Sequence, residues 1–210
     1  VSHHNTPLEL RERFFIPEQA LPDELSGMAR YQSLKERVIL STCNRVELYT
    51  VLPSPNGTQT KLKNFLAQYH QLDDSLLEEH LYWYRQPDSV RHLLKVSAGL
   101  DSMVIGETEI LGQVREAYAH AVTSGSVGSV SHRLFQTAIH TGKQVRSKTR
   151  ISERPTSVSS VSVELARRMF ENLARKQVLV IGSGRMAQIT LGCLKKQGVG
   201  KLIVATALAV

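Results

Sequence analysis

Residues 40–49 of the chain read LSTCNRVELY, and this stretch joins two apolar runs that decide the fold of the first half. The run at 38–40 leads into the stretch, and the run at 46–52 leads out of it. Both runs are short and rich in aliphatic and β-branched residues, so they predict two strands. The residues between them, 42–45, then form a tight connection at the edge of a sheet.

This connection carries three chemically active side chains in a row. An exposed Cys43 close to a positive charge has the setting that lowers the pKa of a thiol and makes it a nucleophile. Asn44 can donate a hydrogen bond to an oxyanion, and Arg45 offers a planar fork that suits a carboxylate. The alternative is that Cys43 is a small buried hydrophobic residue, which is common for a single cysteine at a strand end.

A second unusual segment, residues 99–109, is bounded by glycine and mixes acidic and apolar residues; we call it the acidic loop. It reads GLDSMVIGETE and leads into a helix that begins near Ile110. Glu107 and Glu109 also suit a helix N-terminus, because negative charge there complements the helix dipole. His92, on the preceding helix, has the ordinary interpretation of a packed or solvated histidine.

The third motif is a glycine-rich turn in a predicted βαβ unit. The apolar run at 178–181 predicts a buried parallel strand, a helix follows to Gly198, and 201–204 predicts the next strand. Glycines between strand and helix allow the backbone to approach a pyrophosphate at the positive end of the helix. We therefore predict a dinucleotide site. Its residues are Gly182, Ser183, Gly184, Arg185, Met186 and Ala187.

Composition limits the remaining possibilities. The 210 residues are 41% hydrophobic and 21% charged, which is ordinary for a soluble globular protein of one or two domains. The net charge of +7 is compatible with a polyanionic partner such as RNA. The two cysteines, Cys43 and Cys193, and the eight histidines show no metal-ligand spacing, so we expect no metal site and a reducing compartment. No apolar run is long enough to form a transmembrane helix.

Other patterns predict the elements around these motifs. We predict helices at 8–14, 18–34, 60–71 and 129–148, a turn at 53–57 and a strand of aromatic residues at 81–84. Residues 152–162 are rich in Ser and Thr and mark a boundary, with a helix that starts at Ser157 or Ser159. The fold class is α/β: an α+β catalytic domain, a linker helix and the start of a Rossmann domain.

The string STCNRVE at 41–47 resembles the active-site segment of the glutamyl-tRNA reductase family, and GLDSMVIGE at 99–107 with ILGQV at 110–114 resembles its substrate-pocket segment. The resemblance spans nearly the whole chain. It implies that Cys43 attacks the ester of glutamyl-tRNA and that NADPH reduces the resulting thioester to glutamate-1-semialdehyde, the first committed step of tetrapyrrole synthesis.

The same resemblance implies roles for individual residues. Cys43 would be the nucleophile, and His92 would be important for activity. The substrate-binding residues would be Thr42, Asn44, Arg45, Ser102, Glu107, Thr108, Glu109 and Gln113. The sequence departs from the family at Thr108 and Glu109, where family members often carry Pro and Gln.

The resemblance also sets the domain boundaries. We expect a catalytic, glutamyl-tRNA-recognising domain at 1–150, a linker and helix at 151–176, and the first part of the NADP-binding domain at 177–210. Two strands cannot close a Rossmann core, so we expect this sequence to be a fragment or to have residues unaccounted for. The C-terminal dimerisation domain of the family is absent from these 210 residues, and the family's arginine for the NADPH 2′-phosphate has no counterpart.

Two rival functions remain at this stage. One is an NADP-dependent dehydrogenase of a free small molecule, with a structural Cys43. The other is an RNA-binding protein with a vestigial nucleotide fold. For the favoured function, we expect transfer of the product to glutamate-1-semialdehyde aminomutase, a homodimer of the full-length protein, no membrane association, and a cytoplasmic or plastid stromal location.

Overall fold

Two separate two-stranded sheets organise the described residues of the computed structural model, which are 1–30, 34–52, 58–151 and 157–206. The first sheet belongs to the α+β part of the chain and the second to a βαβ unit. This arrangement confirms the predicted mixed α/β class. The predicted turn at 53–57, residues 152–156 of the predicted boundary and the last four residues lie outside the described residues.

The first sheet is the antiparallel pair β1 (Glu36–Ser41) and β2 (Val46–Val51), in the register that pairs Ser41 with Val46. Val38, Ile39 and Leu40 are each about 1% exposed. Because consecutive side chains of a strand point to opposite faces, β1 is buried on both faces. The first residues of the chain lie beside the connection 42–45, where Ser2 and Arg45 form an antiparallel bridge.

Seven helices of the described residues accompany this sheet. They are α1 (Leu8–Phe14), α2 (Leu21–Met28), α3 (Thr58–His70), α4 (Asp74–His80), α5 (Asp88–Ser97), α6 (Glu109–Thr123) and α7 (Ser129–Lys148). Helices α2, α6 and α7 contact β1, and α5 packs against α6 and α7. The shared core includes Leu25, Met28, Leu93, Val114 and Phe135, each at most 1% exposed. This packing fixes α5, which carries the candidate site residue His92, and α6, which carries Glu109 and Gln113.

Helix α7 is tied to the sheet at its first turn. The Glu36 carboxylate, at the start of β1, accepts hydrogen bonds from the backbone N–H groups of Ser131 at 2.6 Å and Val130 at 3.4 Å. Burial alone would raise the pKa of Glu36, but these bonds outweigh it and lower the pKa. A carboxylate that binds free N–H groups at a helix N-terminus is a stabilising cap.

The second unit is built from α8 (Val158–Met169), β3 (Gln177–Ile181), α9 (Arg185–Lys196) and β4 (Lys201–Ala205). Strands β3 and β4 are parallel, and α8 packs against α9. Helix α8 starts at a capping box in which the Ser157 hydroxyl accepts the Ser160 N–H at 3.1 Å. The prediction of a βαβ unit and of a helix start at Ser157 is therefore confirmed.

Three expectations about elements are wrong. Residues 81–84 form no strand, although their aromatic composition favours one, because they pack around a helix instead. The helix expected at 18–34 is shorter: a 3-10 turn at Glu18–Ala20 leads into α2, which ends at Met28. Strand β3 is not buried throughout, since Leu179 is 55% exposed and Ile181 79%.

Candidate functional site

The turn that carries Cys43 is pinned by its neighbour Thr42. The Thr42 hydroxyl accepts the backbone N–H groups of Asn44 at 3.2 Å and Arg45 at 3.1 Å, and the Thr42 N–H donates to the Arg45 carbonyl at 2.8 Å. Thr42 is buried while Cys43 is exposed. The hydroxyl of Thr42 therefore shapes the turn, and the thiol stands at its outer side.

The electrostatic surroundings of Cys43 differ from the expectation. Desolvation and the negative charge of Glu107 raise the pKa of the Cys43 thiol, and Glu109 adds to this rise. Arg11, from α1, is the cation that opposes the shift. The expectation of a lowered pKa beside a positive charge is wrong for this structure, because the thiol is partly desolvated, acidic residues act on it and the side chain of Arg45 turns inward.

Arg11 also fixes the orientation of Asn44. Its Nη1 donates to the side-chain oxygen Oδ1 of Asn44 at 3.1 Å and lies 3.4 Å from the carbonyl oxygen of Cys43. Because Oδ1 accepts this bond, the amide nitrogen of Asn44 is left as the donor. This nitrogen is the group that we predict from the sequence to donate a hydrogen bond to an oxyanion.

Arg45 is buried and forms ion pairs on both sides of its guanidinium group. It is 2% exposed, its Nη1 lies 2.9 Å from Glu47 Oε1, and its Nη2 lies 3.0 Å from Asp101 Oδ2. Burial alone would lower the pKa of Arg45, but Glu47, Tyr82 and Asp101 outweigh it and raise the pKa. The fork predicted to meet a substrate carboxylate therefore already meets the carboxylate of Asp101.

Glu47 is the centre of this buried network and was missed by sequence reasoning. Its Oε1 accepts from Arg45 and Tyr82 and lies 2.8 Å from His92 Nε2, while its Oε2 accepts from Tyr49. Burial alone would raise the pKa of Glu47, but the bond from His92 and the charge of Arg45 lower it to about 2. The signal was present in the period of two that places Glu47 and Tyr49 on one face of β2, two and four residues after Arg45.

His92 is held at the edge of this network. Its ring lies 4.7 Å from the ring of Tyr84 and 5.8 Å from that of Tyr82, measured between centroids, and its Nε2 faces Glu47. The structure thus connects His92 to Arg45 through one shared carboxylate. Since Nε2 is engaged by Glu47, His92 acts in this structure as a partner of the buried network.

Asp101 and Glu107 of the acidic loop both act on the Cys43 turn. Asp101 binds Arg45 through its carbonyl as well as its carboxylate, and Glu107 acts on the thiol by its charge. Ser102 is buried, Glu107 is half-buried and its pKa is raised, first by burial. Of the other predicted residues, Thr108 is exposed, while Glu109 and Gln113 are half-buried one helical turn apart on α6.

The glycine-rich turn leaves open space at the N-terminus of α9. Gly182 has φ +116°, and a Cβ at Gly182 or Gly184 would meet no atom within 4 Å, so the space over both residues is open. Gly184 is the N-cap of α9 and has no side chain to cap it. Met186 and Ala187 follow in the first turn of α9, and the side chain of Arg185 lies outside the description. An open backbone turn at a helix N-terminus is compatible with the phosphates of a nicotinamide dinucleotide.

Other kinds of site are not found in the described residues. No group of three or more potential metal ligands occurs there, and none of the described helices could cross a membrane. A cavity of about 680 Å³ lies beside β2 and is walled by Glu47, His92, Tyr82 and Trp83, among others. Cys43 is not among its lining residues, so the thiol lies outside this cavity.

Two family models match the two parts of the chain described above. The family model for the glutamyl-tRNA reductase N-terminal domain matches residues 1–149, and the model for shikimate and quinate 5-dehydrogenase matches residues 164–207. Glutamyl-tRNA reductase 2 of Koribacter versatilis is 42% identical over 98% of the chain, and glutamyl-tRNA reductase of Bacillus subtilis is 37% identical over 97%.

A solved structure gives the same result. Glutamyl-tRNA reductase from Methanopyrus kandleri matches 99% of the chain at 33% identity, with a TM-score of 0.64. The chain covers 48% of that structure, 46% of the Koribacter protein and 45% of the Bacillus protein. It therefore spans about half the length of the curated relatives it matches.

Proposed function

The chain belongs to the glutamyl-tRNA reductase family, and we propose that it takes part in the NADPH-dependent reduction of glutamyl-tRNA to glutamate-1-semialdehyde in tetrapyrrole synthesis. The proposed organisation is a catalytic domain at 1–150, a linker and helix at 151–176, and the start of the cofactor domain at 177–210. The observation that supports it most is the exposed Cys43 thiol on a pinned turn beside the acidic loop.

In the proposed first step, the Cys43 thiolate attacks the carbonyl carbon of the glutamyl ester. The bond from that carbon to the ribose oxygen breaks, the ribose oxygen of the tRNA leaves and takes from solvent the proton that the thiol had released on ionisation, and a thioester remains on Cys43. The amide nitrogen of Asn44, oriented by Arg11, is the donor available to the oxyanion of the tetrahedral intermediate.

The glutamyl group carries a side-chain carboxylate and an α-ammonium group, and the site offers a partner for each. Arg45 is proposed to bind the carboxylate, which would then replace Asp101 on the guanidinium while Glu47 continues to hold its other side. Glu107 and Glu109 supply negative charge for the ammonium group. This arrangement selects against glutamine, whose neutral amide cannot form the ion pair with Arg45.

The remaining predicted residues complete the proposal. Ser102, Thr108 and Gln113 would line the glutamyl site, Thr42 would shape the turn, and His92 would support Arg45 through Glu47. Residues 182–187 would hold NADPH, which, when bound, supplies the hydride that converts the thioester to the aldehyde. Transfer to glutamate-1-semialdehyde aminomutase, a homodimer of the full-length protein, and a cytoplasmic or plastid stromal location stay predictions.

Oxidation of NADPH, followed by its absorbance, tests this function against the rival dehydrogenase. With the full-length protein, we expect oxidation with glutamyl-tRNA and none with free glutamate, deacylated tRNA or shikimate. Shikimate is included because residues 164–207 match the shikimate dehydrogenase model. Oxidation that proceeds with a free small molecule, and is indifferent to glutamyl-tRNA, would assign the protein to the rival class.

A further inference from the structure

The last turn of α7 holds the acidic loop at the point where α6 begins. Arg146 Nη1 donates to the carbonyl oxygen of Thr108 at 3.0 Å, and its Nη2 donates to the carbonyl oxygen of Glu107 at 2.7 Å. The side chain is half-buried, and its Nε is buried. One planar guanidinium that binds two successive carbonyl groups fixes the two peptide units that flank Thr108.

A second contact from the same end of α7 acts on the preceding residue. Gly106 has φ +83°, and a Cβ at this position would collide with the carbonyl oxygen of Ile151, just beyond α7. The Gly106 N–H donates to the Gly99 carbonyl at 2.8 Å, which closes the loop on itself. Residues 106–108 are therefore held by α7 and the residues that follow it.

The residues held in this way act on the reactive thiol. Glu107 is, after desolvation, the largest cause of the raised pKa of Cys43, so its position relative to the thiol matters. Arg146 is in turn one of the charges that oppose the raised pKa of Glu107. A change in the backbone at 107–108 would move this carboxylate and alter the surroundings of Cys43.

We propose that Arg146 is a positioning residue for the glutamyl site, acting through the peptide unit that joins Glu107 and Thr108. This inference rests on the proposed function. It adds a residue whose hydrogen bonds go to Glu107 and Thr108, not to Cys43 or Arg45, and that lies on the helix leading out of the proposed catalytic domain. A lysine would replace it only in part, because a single ammonium group lacks the planar fork that spans both carbonyl groups.

The test is single-turnover acylation of Cys43 by labelled glutamyl-tRNA without NADPH, quenched in acid, over a range of protein concentrations. We expect Arg146→Ala to raise the half-saturation concentration by about 10- to 100-fold, because small displacements of a positioned group have effects of this size. Arg146→Lys should lie between Arg146→Ala and the unsubstituted protein. A residue that only stabilises the fold would lower the labelled fraction and leave the half-saturation concentration unchanged.

Arg133→Ala is the matched control, because Arg133 is an exposed arginine on the same helix. If α7 acts only by attracting tRNA through its charge, both substitutions should weaken binding equally, and this would overturn the proposal. An unchanged half-saturation concentration in Arg146→Ala would also overturn it. If Arg146→Ala does not fold, Arg146→Lys is measured instead, and an unchanged half-saturation concentration in that variant would overturn the proposal. Absence of any adduct in the unsubstituted protein would instead contradict the proposed function.

Discussion

At the scale of single residues, the charge facing Cys43 distinguishes this site from the one expected from sequence. Desolvation, and after it the neighbouring acidic residues, raise the pKa of the thiol, so its thiolate fraction at neutral pH is small before substrate binds. The ammonium group of the glutamyl substrate would neutralise part of this negative charge. The reactive form of Cys43 would then become more abundant when the substrate is present.

Removal of one acidic charge should make the thiol more reactive. Because the carboxylate of Glu107 raises the pKa of Cys43, Glu107→Gln should lower it and speed alkylation by iodoacetamide at pH 7.5 by about threefold. The rate is measured on the Cys43 peptide by mass spectrometry, so that Cys193 does not interfere. Glu116→Gln, an exposed residue of α6, is the control. Equal or slower alkylation in Glu107→Gln would contradict this description of the site.

Glu47 should stabilise the fold in a manner that depends on pH. Its pKa is lowered from 4.5 to about 2, so its contribution is present above pH 4.5 and is lost as the pH falls toward 2. A displacement of this size corresponds to about 3 kcal/mol of unfolding free energy. Relative to the unsubstituted protein, Glu47→Gln should therefore lose the most unfolding free energy near pH 7.

Urea unfolding of both proteins between pH 3 and pH 7 measures this difference. The gap in unfolding free energy between the unsubstituted protein and Glu47→Gln should narrow as the pH falls. Glu12→Gln, at an exposed position of α1, should show no such gap. A gap that stays constant with pH would mean that Glu47 contributes by packing and not by its charge.

At the scale of elements, the site depends on how closely α5 and α7 approach. A Cβ at Gly142 of α7 would lie 2.5 Å from the carbonyl oxygen of Ser97, the last residue of α5. The backbones of the two helices are in contact there, and α5 carries His92. The glycine at this position thus affects the placement of a residue of the buried network.

Gly142→Ala should separate these helices and lower the unfolding free energy by roughly 1–3 kcal/mol, the usual cost of overpacking. Gly112 of α6 offers the matched control, since a Cβ there would meet no atom within 4 Å. Gly112→Ala should stabilise the protein by about 0.5–1 kcal/mol, because alanine favours a helix interior. Thermal unfolding measures both. Destabilisation of both variants to the same extent would contradict the assigned packing.

At the scale of the whole molecule, the sequence predicts those elements of secondary structure that depend on local residue patterns. The two strands around 42–45, helices α3 and α7, and the βαβ unit follow from periodicity and turn residues, and the structure contains them. The aromatic run at 81–84 has β-forming composition but packs around His92, a contact that no local rule contains.

The same limit applies to the site. The pattern of residues indicates Cys43, Asn44 and Arg45 as a group, but not the direction of the arginine. That direction depends on Asp101, which lies 56 residues later in the chain. Glu47 was missed because two of its partners, Tyr82 and His92, lie 35 and 45 residues later in the chain. Arg146 was missed because the two carbonyl groups it binds lie 38 and 39 residues earlier, and only tertiary packing brings them within reach.

Trapping of a glutamate adduct on Cys43 is the decisive experiment for the proposed covalent bond between this thiol and glutamate taken from tRNA. The protein is mixed with glutamyl-tRNA labelled in the glutamate, without NADPH, then quenched in acid, digested and analysed by mass spectrometry. We predict labelled glutamate on the Cys43 peptide, removed by neutral hydroxylamine, and none in Cys43→Ser, while Cys193→Ser is labelled normally. A folded protein that binds glutamyl-tRNA but carries no label on Cys43, or a Cys43→Ser variant that is labelled as fully, would contradict the claim.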